Sequence, residues 1–382
     1  MVSKIIRPKT IGIIGGGQLA RMTAYAAYRM GLEIAILDPE PDSPAGQIAH
    51  LKLVGSLNDV SKLEELARVS DLITLENEFV DAPLLKHLES IGECVFPTAY
   101  TVGLIQDKLL QKEVLEKNGI GVPHFMGVSS YEDIYRAGEQ FGWPLLLKTR
   151  RNGYDGRGNV LIREPNDMLS AWKTLEGKSA LMVESFVPFI KELAVMVARS
   201  RNGEILTYPV VETIQKDHIC HIVKVPAGVD EDVSKMVATI ARQAIEAVDG
   251  IGIFGIEIFF LEDKSVLINE LAPRPHNSGH YTIEACITSQ YENHLRAILG
   301  LPLGSPAMIL TAAVMVNLLG VRDAVANVSG LEKALSIPGV NLHIYGKKLT
   351  RPGRKMGHVT ALGQNIEEAL DKATKAAGFI TF

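Results

Sequence analysis

GIEIFFLEDKSVLINELAPRPHNSGHYT, residues 255–282, decides how the rest of this 382-residue chain is read. Residues 255–261 and 266–269 are runs of Ile, Phe, Val and Leu separated by the charged turn Glu262, Asp263, Lys264 and Ser265, the pattern of a β-hairpin. Centring the hairpin between Asp263 and Lys264 sets Glu257 opposite Glu270. Two carboxylates face to face destabilise a sheet, so either a bulge shifts the register or a cation sits between them. Oxygen-only donors select Mg2+, which is held by one or two carboxylates together with substrate phosphates, and Asn269 beside Glu270 adds another oxygen. The alternative is a solvated hairpin whose glutamates face water. The next loop argues for a site: Arg274, His276, Asn277, Ser278 and His280 stand among Pro273, Pro275 and Gly279, and the prolines fix the backbone that presents the polar groups.

Working outward, 47% hydrophobic residues are enough for two or three lobes with real cores. The net charge of −5, with no basic block interleaved with aromatics, argues against a nucleic-acid partner. Cys94, Cys220 and Cys286 lie far apart without CxxC spacing, so neither a cysteine zinc site nor a disulfide framework is expected, and a reducing cytoplasm fits. No run reaches the roughly 18 apolar residues of a membrane span and no signal-type segment opens the chain, so a soluble protein with no membrane partner is expected.

Residues 10–14 read as a strand, Gly15, Gly16 and Gly17 as a turn, the Ala/Met/Arg-rich run after them as a helix ending near Gly31, and residues 32–37 as a second strand closed by Asp38. Gly15, Gly17 and Ala20 with Asp38 satisfy the dinucleotide fingerprint, whose glycines let a helix N-terminus approach a phosphate; they serve a ligand-free tight turn equally well. A helix at 60–68 and a strand at 71–75 lead to Glu76 and Glu78, placed where open α/β sheets bind ligands, and 95–97 is a last short strand. Residues 107–118 and 131–141 are helices. An apolar strand at 144–148 ends in Lys148, a lysine costly to bury without an anion. Tyr154, Asp155, Gly156, Arg157, Gly158 and Asn159 then form a basic glycine loop between two strands, able to close over phosphates or to be a plain hairpin; it is not a Walker A loop. A strand at 180–183 runs into Glu184, Ser185, Phe186 and Val187, with Glu192 beyond, acids suited to an adenine amino group and ribose hydroxyls. Strands at 193–198, 205–209 and 219–225 and a helix at 233–248 precede the hairpin, and one helix at 283–299 follows it. Farther on come strands at 312–318 and 342–345, a helix at 367–377, and the cations Lys347, Lys348, Arg351, Arg354 and Lys355, an anion pocket or a solvated basic hairpin.

The ordered set GIIGGGQLARM (12–22), ITLENE (73–78), QDKLLQK (106–112), LLLKTRRNGYDGRGN (145–159), VESFV (183–187), INELAPRPHNSGHYT (268–282) and HIYGKKLTRPGRKMGH (343–358) resembles the ATP-grasp superfamily. Within it, the chain resembles the N5-carboxyaminoimidazole ribonucleotide synthase family of purine biosynthesis over nearly its whole length. The resemblance implies an α/β and α+β chain: a Rossmann-like pre-ATP-grasp domain at 1–106, an ATP-grasp domain at 107–300, and a small mixed C-terminal domain at 301–382 that completes the ribonucleotide site. It implies that ATP contacts Lys108, Lys148, Tyr154, Asp155, Gly156, Arg157, Gly158, Asn159, Glu184, Ser185, Phe186, Val187, Glu192, Asn269 and Glu270, and that Glu257 and Glu270 bind Mg2+. Gln18, Leu19, Glu76, Tyr154, Arg157, Arg274, Lys347, Arg354 and Lys355 are implied contacts of 5-aminoimidazole ribonucleotide. Arg274, His276 and Asn277 are implied for bicarbonate or carboxyphosphate, and Asp155 for the amine proton. Family members often carry a histidine where this chain has Gln215, which leaves that contact open. The implied reaction converts ATP, bicarbonate and the ribonucleotide to ADP, phosphate and the N5-carboxylated ribonucleotide, through carboxyphosphate attacked directly or as released CO2, in a cytoplasmic homodimer. Two other readings stay open: a formate-dependent glycinamide ribonucleotide transformylase, and a non-catalytic dinucleotide-binding protein resting on the turn at 15–20.

Overall fold

Four parallel strands form the first sheet, in spatial order Leu51–Val54, Glu33–Asp38, Thr10–Ile14, Leu72–Leu75. The computed structural model describes residues 9–153 and 158–382. Successive side chains of a strand point to opposite faces, and here both faces are buried: Ile11 and Ile13 pack with Leu19, Met22 and Ala27 of the helix Gln18–Arg29, whereas Ile14 packs with Leu63 and Leu66 of the helix Val60–Arg68. Asp59 starts the second helix by accepting from the Ser61 and Lys62 amides at 2.9 and 3.3 Å, a cap that contributes about 1 kcal/mol. The edge strand Leu51–Val54 was not expected: at four residues, LKLV is short and interrupted by Lys52, and three of its residues are exposed at the sheet edge. At 95–97 the expected strand reduces to a single bridge of Val95 to Ile73, because Pro97 has no N–H to continue the ladder.

Apart from a two-stranded pairing of Ala324–Val325 with Leu349–Thr350, the remaining described strands build two antiparallel sheets. The smaller has the order Phe125–Val128, Leu181–Ser185, Leu145–Thr149, Asn159–Ile162, backed by the helices Tyr131–Phe141 and Met168–Leu175. The larger has nine strands. Its path is Val266–Ala272, Gly252–Phe260, Lys191–Arg199, Val211–Lys216, Ile219–Val225, Ala312–Leu319, Lys355–Gly363, Val340–Ile344, with Ile205–Thr207 beside Lys191–Arg199. Ile222 pairs Val316 and Val223 pairs Met315, so the sheet crosses residue 300 without a seam. Its far end is backed by the helix Ile366–Phe379, started by Asn365, whose side chain accepts from the Glu368 amide at 2.9 Å.

Two differences from the expected elements have local causes. The single helix expected at 283–299 is broken into Thr282–Ala285 and Gln290–Leu299, because Ser289 starts a new helix by accepting from the Glu292 amide and Cys286 bridges to Met308. The strand Lys355–Gly363 was hidden in the basic run; seven of its nine residues are buried on one face or the other, so no polar alternation marks it.

Candidate active site

The hairpin register brings the two acids together by a route that the turn alone does not supply. Phe260 pairs Val266 and Ile258 pairs Ile268, one residue short of the expected centring, and a bulge at Asn269 then restores Glu257 opposite Glu270. The bulge also turns the Asn269 amide onto Glu257, 3.3 Å away, while its carbonyl accepts from Lys112 at 3.1 Å. Burial together with the neighbouring charge of Glu270 pushes the Glu257 carboxyl up to about 7. Glu270 behaves oppositely: burial would raise it, but its ion pair with Lys108 outweighs burial and lowers it, and burial's downward pull on Lys108 is likewise overcome by Glu270. One acid of the pair is held ready to lose a proton to a cation, the other is already ionised.

The helix Lys108–Lys117 lies against this hairpin, with Gln111 accepting from the Leu271 amide at 3.0 Å. It delivers Lys108 and, one turn later, Lys112, which reaches the Glu184 carboxylate at 3.3 Å; Lys148 meets the same carboxylate at 2.7 Å. Both ends of these pairs are almost wholly buried, with side-chain exposures of 2% for Lys112 and Glu184 and 9% for Lys148. Burial lowers the Lys112 ammonium to about 8 in spite of Glu184. Two ammonium groups on one carboxylate leave an unbalanced positive charge in a poorly solvated place, which is stable only beside an anion. Lys112 was missed from the sequence, although the i, i+4 spacing from Lys108 puts the two on one helix face.

Around the PRPHNSGH loop, Arg274 forks onto Glu78, its Nη2 donating to Oε1 at 2.9 Å, so Glu78 joins the site as a residue that sequence reading noted but did not assign. His276 is fixed from two sides: its amide donates to the Gln290 side chain at 2.9 Å and its Nδ1 meets Ser278 Oγ at 2.9 Å. Its Nε2 lies 3.6 Å from Glu257. Burial and the Arg274 charge lower the imidazole to about 3, so this contact is one of neutral ring to carboxyl and not an ion pair. Asn277 is engaged head to head with Asn317, at 3.0 and 2.6 Å, which commits one amide hydrogen and the carbonyl oxygen. Glu192 accepts from the Gln215 side chain and sits close enough to Glu257 to raise it further.

The glycine turn at 15–17 is occupied by the protein's own acids. Asp38 accepts from the Gly16 amide at 2.6 Å and Glu76 from the Leu19 amide at 3.2 Å. A Cβ on Gly17 would stand 2.2 Å from Glu76 Oε1, so the glycine is required for the approach of Glu76 and not for a pyrophosphate. This disfavours the dinucleotide reading: the helix N-terminus that would cradle a phosphate already holds a carboxylate, and the acid that would take a ribose hydroxyl points back at the turn. Leu19 is itself buried, with its amide spent on Glu76, and Gln18 opens the helix beside it.

From the C-terminal side, Lys347 donates to the Lys355 carbonyl at 2.8 Å, lies over the Tyr345 ring, and acts electrostatically on Glu76. Burial, then the nearby Arg354, lower the Lys347 ammonium to about 8. Arg354 donates to the Leu349 carbonyl at 2.8 Å, and Lys355 is close enough to Glu257 and His276 to influence both. Gln47 donates to the Gly346 carbonyl at 2.8 Å and Lys348 pairs with Asp42 at 2.5 Å, tying this segment to the first lobe. Tyr154, Asp155, Gly156 and Arg157 lie outside the described residues. Gly158, with φ of +82°, gives its carbonyl to the Thr149 amide, and Asn159 pairs Lys148 across the ladder. Ser185 ends its strand opposite Leu145, and beyond it Phe186 is exposed and Val187 buried.

Two antiparallel sheets with phosphate-type lysines and opposed acids at their meeting, behind a Rossmann-like lobe, define an ATP-grasp enzyme. Models of the ATP-grasp domain, the ribonucleotide synthetase preATP-grasp domain and the phosphoribosylaminoimidazole carboxylase C-terminal domain match residues 113–291, 8–106 and 313–372. The N5-carboxyaminoimidazole ribonucleotide synthase of Bacillus subtilis is 40% identical over 98% of this chain and 97% of its own. The phosphoribosylaminoimidazole carboxylase of Ogataea methanolica is 44% identical over 94% of this chain, which spans about two thirds (67%) of that longer protein. The Aspergillus clavatus N5-carboxyaminoimidazole synthase, solved in complex with ADP and 5-aminoimidazole ribonucleotide, superimposes with a TM-score of 0.89 at 36% identity, covering 97% of this chain and 98% of that one. The chain belongs to the N5-carboxyaminoimidazole ribonucleotide synthase family.

Proposed function

We propose that this chain carboxylates the exocyclic amine of 5-aminoimidazole ribonucleotide with bicarbonate and ATP, releasing ADP, phosphate and the N5-carboxylated ribonucleotide for purine biosynthesis. The observation that supports this most is the convergence of three chemistries on one cleft. Buried Lys108, Lys112 and Lys148, the last two sharing the single Glu184 carboxylate, suit the ATP phosphates. Lys347, Arg354 and Lys355 crowd together and suit the ribonucleotide phosphate, while Glu76 approaches from the first lobe. His276 and Arg274, with the remaining amide hydrogen of Asn277, suit bicarbonate. The complex with ADP and the ribonucleotide in the Aspergillus relative is consistent with this assignment.

Mg2+ fits the opposed acids. Its donors there are all oxygen, and the protonation forced on Glu257 by burial and by Glu270 is the state a cation would relieve. Glu257, Glu270 and the Asn269 side-chain oxygen would hold it, and it would supply charge neutralisation for the transferring phosphoryl group. The chain's own groups do the rest. Lys108 and Lys148 bind and orient phosphate oxygens, and neutral His276 can hydrogen-bond a bicarbonate oxygen without adding a fixed charge. The proposal keeps Asp155 for the amine proton, Tyr154 and Arg157 for the ribonucleotide, and Ser185, Phe186, Val187, Glu184 and Glu192 for the adenosine half. It also keeps functional divisions at 106 and 300 and a cytoplasmic homodimer. No helix among the described residues is long and apolar enough to cross a membrane.

ADP release measured with ATP and ribonucleotide should require added bicarbonate. Release that depends on formate instead, or NADH binding without ATP cleavage, would overturn the proposal.

A further inference from the structure

Away from the acids of the hairpin, the junction of the grasp domain and the C-terminal residues encloses a cluster that the proposed reaction does not use. His343 and His358 are directly paired across the antiparallel strands Val340–Ile344 and Lys355–Gly363, so their side chains leave the same face of the sheet. Glu284, on the short helix Thr282–Ala285, lies over that face, with Oε1 2.6 Å from His343 Nε2. The three residues offer ligand atoms that all lie within 4.8 Å of one another. His358 is fully buried. Its Nδ1 is hydrogen-bonded to the Tyr345 hydroxyl at 2.8 Å, but its Nε2 has no partner, and neither has Glu284 Oε2. A buried imidazole nitrogen and a buried carboxylate oxygen left without partners side by side are each costly, and they need something held between them.

We propose that Glu284, His343 and His358 bind a divalent transition-metal ion of the zinc class, joining the grasp domain to the C-terminal lobe. Imidazole donors select against Mg2+, which prefers oxygen, so this site and the opposed glutamates would sort different metals within one chain. The Tyr345 hydroxyl supplies what metal-binding histidines generally have, a hydrogen bond to the other ring nitrogen that fixes ring orientation and leaves Nε2 as the lone-pair atom. One adjustment is required. The two imidazoles stack at 4.4 Å with planes 10° apart, so their in-plane lone pairs run parallel and do not meet at a point. His343, with 22% of its side chain exposed, is the ring with room to rotate, and its strand runs directly into Tyr345 and Lys347.

Cobalt(II) is the probe, because its visible d–d absorption reports nitrogen and oxygen ligation. It is titrated into the full-length, metal-stripped protein in excess Mg2+, so that an all-oxygen site is already filled. One equivalent should bind and develop these bands. His343→Asn should weaken binding about 10-fold or more, and Tyr345→Phe, acting only through His358, by a similar factor. His50→Asn, which changes an exposed histidine paired with Glu33, should leave binding as it was. If His343→Asn fails to fold, Glu284→Gln serves in its place. No bands at one equivalent would overturn the site, as would bands and affinity unchanged in both His343→Asn and Glu284→Gln. A crystal structure of the cobalt-treated protein with only water between Glu284 and His358 would do the same.

Discussion

Glu257 carries a pH dependence that its place in the hairpin imposes. An unfolded glutamate titrates near 4.5, whereas the folded carboxyl is pushed up to about 7, so the native state binds the extra proton between those values. The stability this gives is complete below about pH 4.5 and is lost as pH rises through about 7. In metal-free protein at pH 8, Glu257→Gln should therefore be more stable than wild type, while it abolishes turnover. With 32% of the side chain open to the cleft, solvent screening limits the gain to on the order of 1 kcal/mol. Urea melts at pH 5 and pH 8 decide it: parallel curves for the two proteins would remove the argument. Lys347 gives a second test at the same scale. Its ammonium, lowered to about 8, should lose charge as pH rises through that value, and ribonucleotide KM should rise with it. Lys347→Arg stays charged and should flatten that rise, whatever its KM at neutral pH; a profile as steep as wild type would clear Lys347 of phosphate binding. Much of this was legible residue by residue. Opposed glutamates, a strand-ending lysine and a cationic run are unusual on their face. Lys112 was not singled out because it looked like ordinary surface charge, and Glu78, placed at a ligand-binding strand end, was given no partner; only folding showed that one reaches Glu184 and the other holds Arg274.

Turns and strand ends were harder to read than the elements they join. The glycine turn at 15–17 carries a sequence pattern that fits a dinucleotide, and nothing local reveals that Glu76, some sixty residues on, fills it; that contact exists only because Thr10–Ile14 and Leu72–Leu75 are neighbours in the sheet. Gly17→Ala tests the turn directly. Gly17 has φ of −71°, so alanine brings no backbone strain, only a methyl group driven at Glu76. Displacing that carboxylate by about an ångström should raise the ribonucleotide KM roughly 10-fold or more and leave the ATP KM nearly unchanged. Equal losses for both substrates would mean that the turn serves the fold alone. The broken helix at 286–289 was readable in principle, since Ser289-Gln290-Tyr291-Glu292 is a helix-start signature. The strand Lys355–Gly363 was not, because burial on both faces erases the alternation by which strands are recognised.

At the scale of the whole molecule, the sequence suggests separable lobes and the nine-stranded sheet joins two of them. Cutting the chain after residue 300 would leave Ile219–Val225 without Ala312–Leu319, exposing an edge at Ile222–Val225 in which Val223 and Val225 are fully buried in the intact protein. Such an edge is a template for aggregation, so residues 1–300 alone should be insoluble or misassembled. A compact, monomeric fragment would count against the continuity of the sheet. The same continuity ties the two halves of the proposed site to each other. Glu257 and Glu270 lie on the first two strands of its path and Lys355 opens the seventh, so the proposed metal acids and one of the proposed phosphate cations are carried by one continuous hydrogen-bonded sheet. Among the described residues no ladder joins the four-stranded sheet of Lys148 and Glu184 to the larger one, so Lys112, bonded to the Asn269 carbonyl on one side and to Glu184 on the other, acts as a bolt between them.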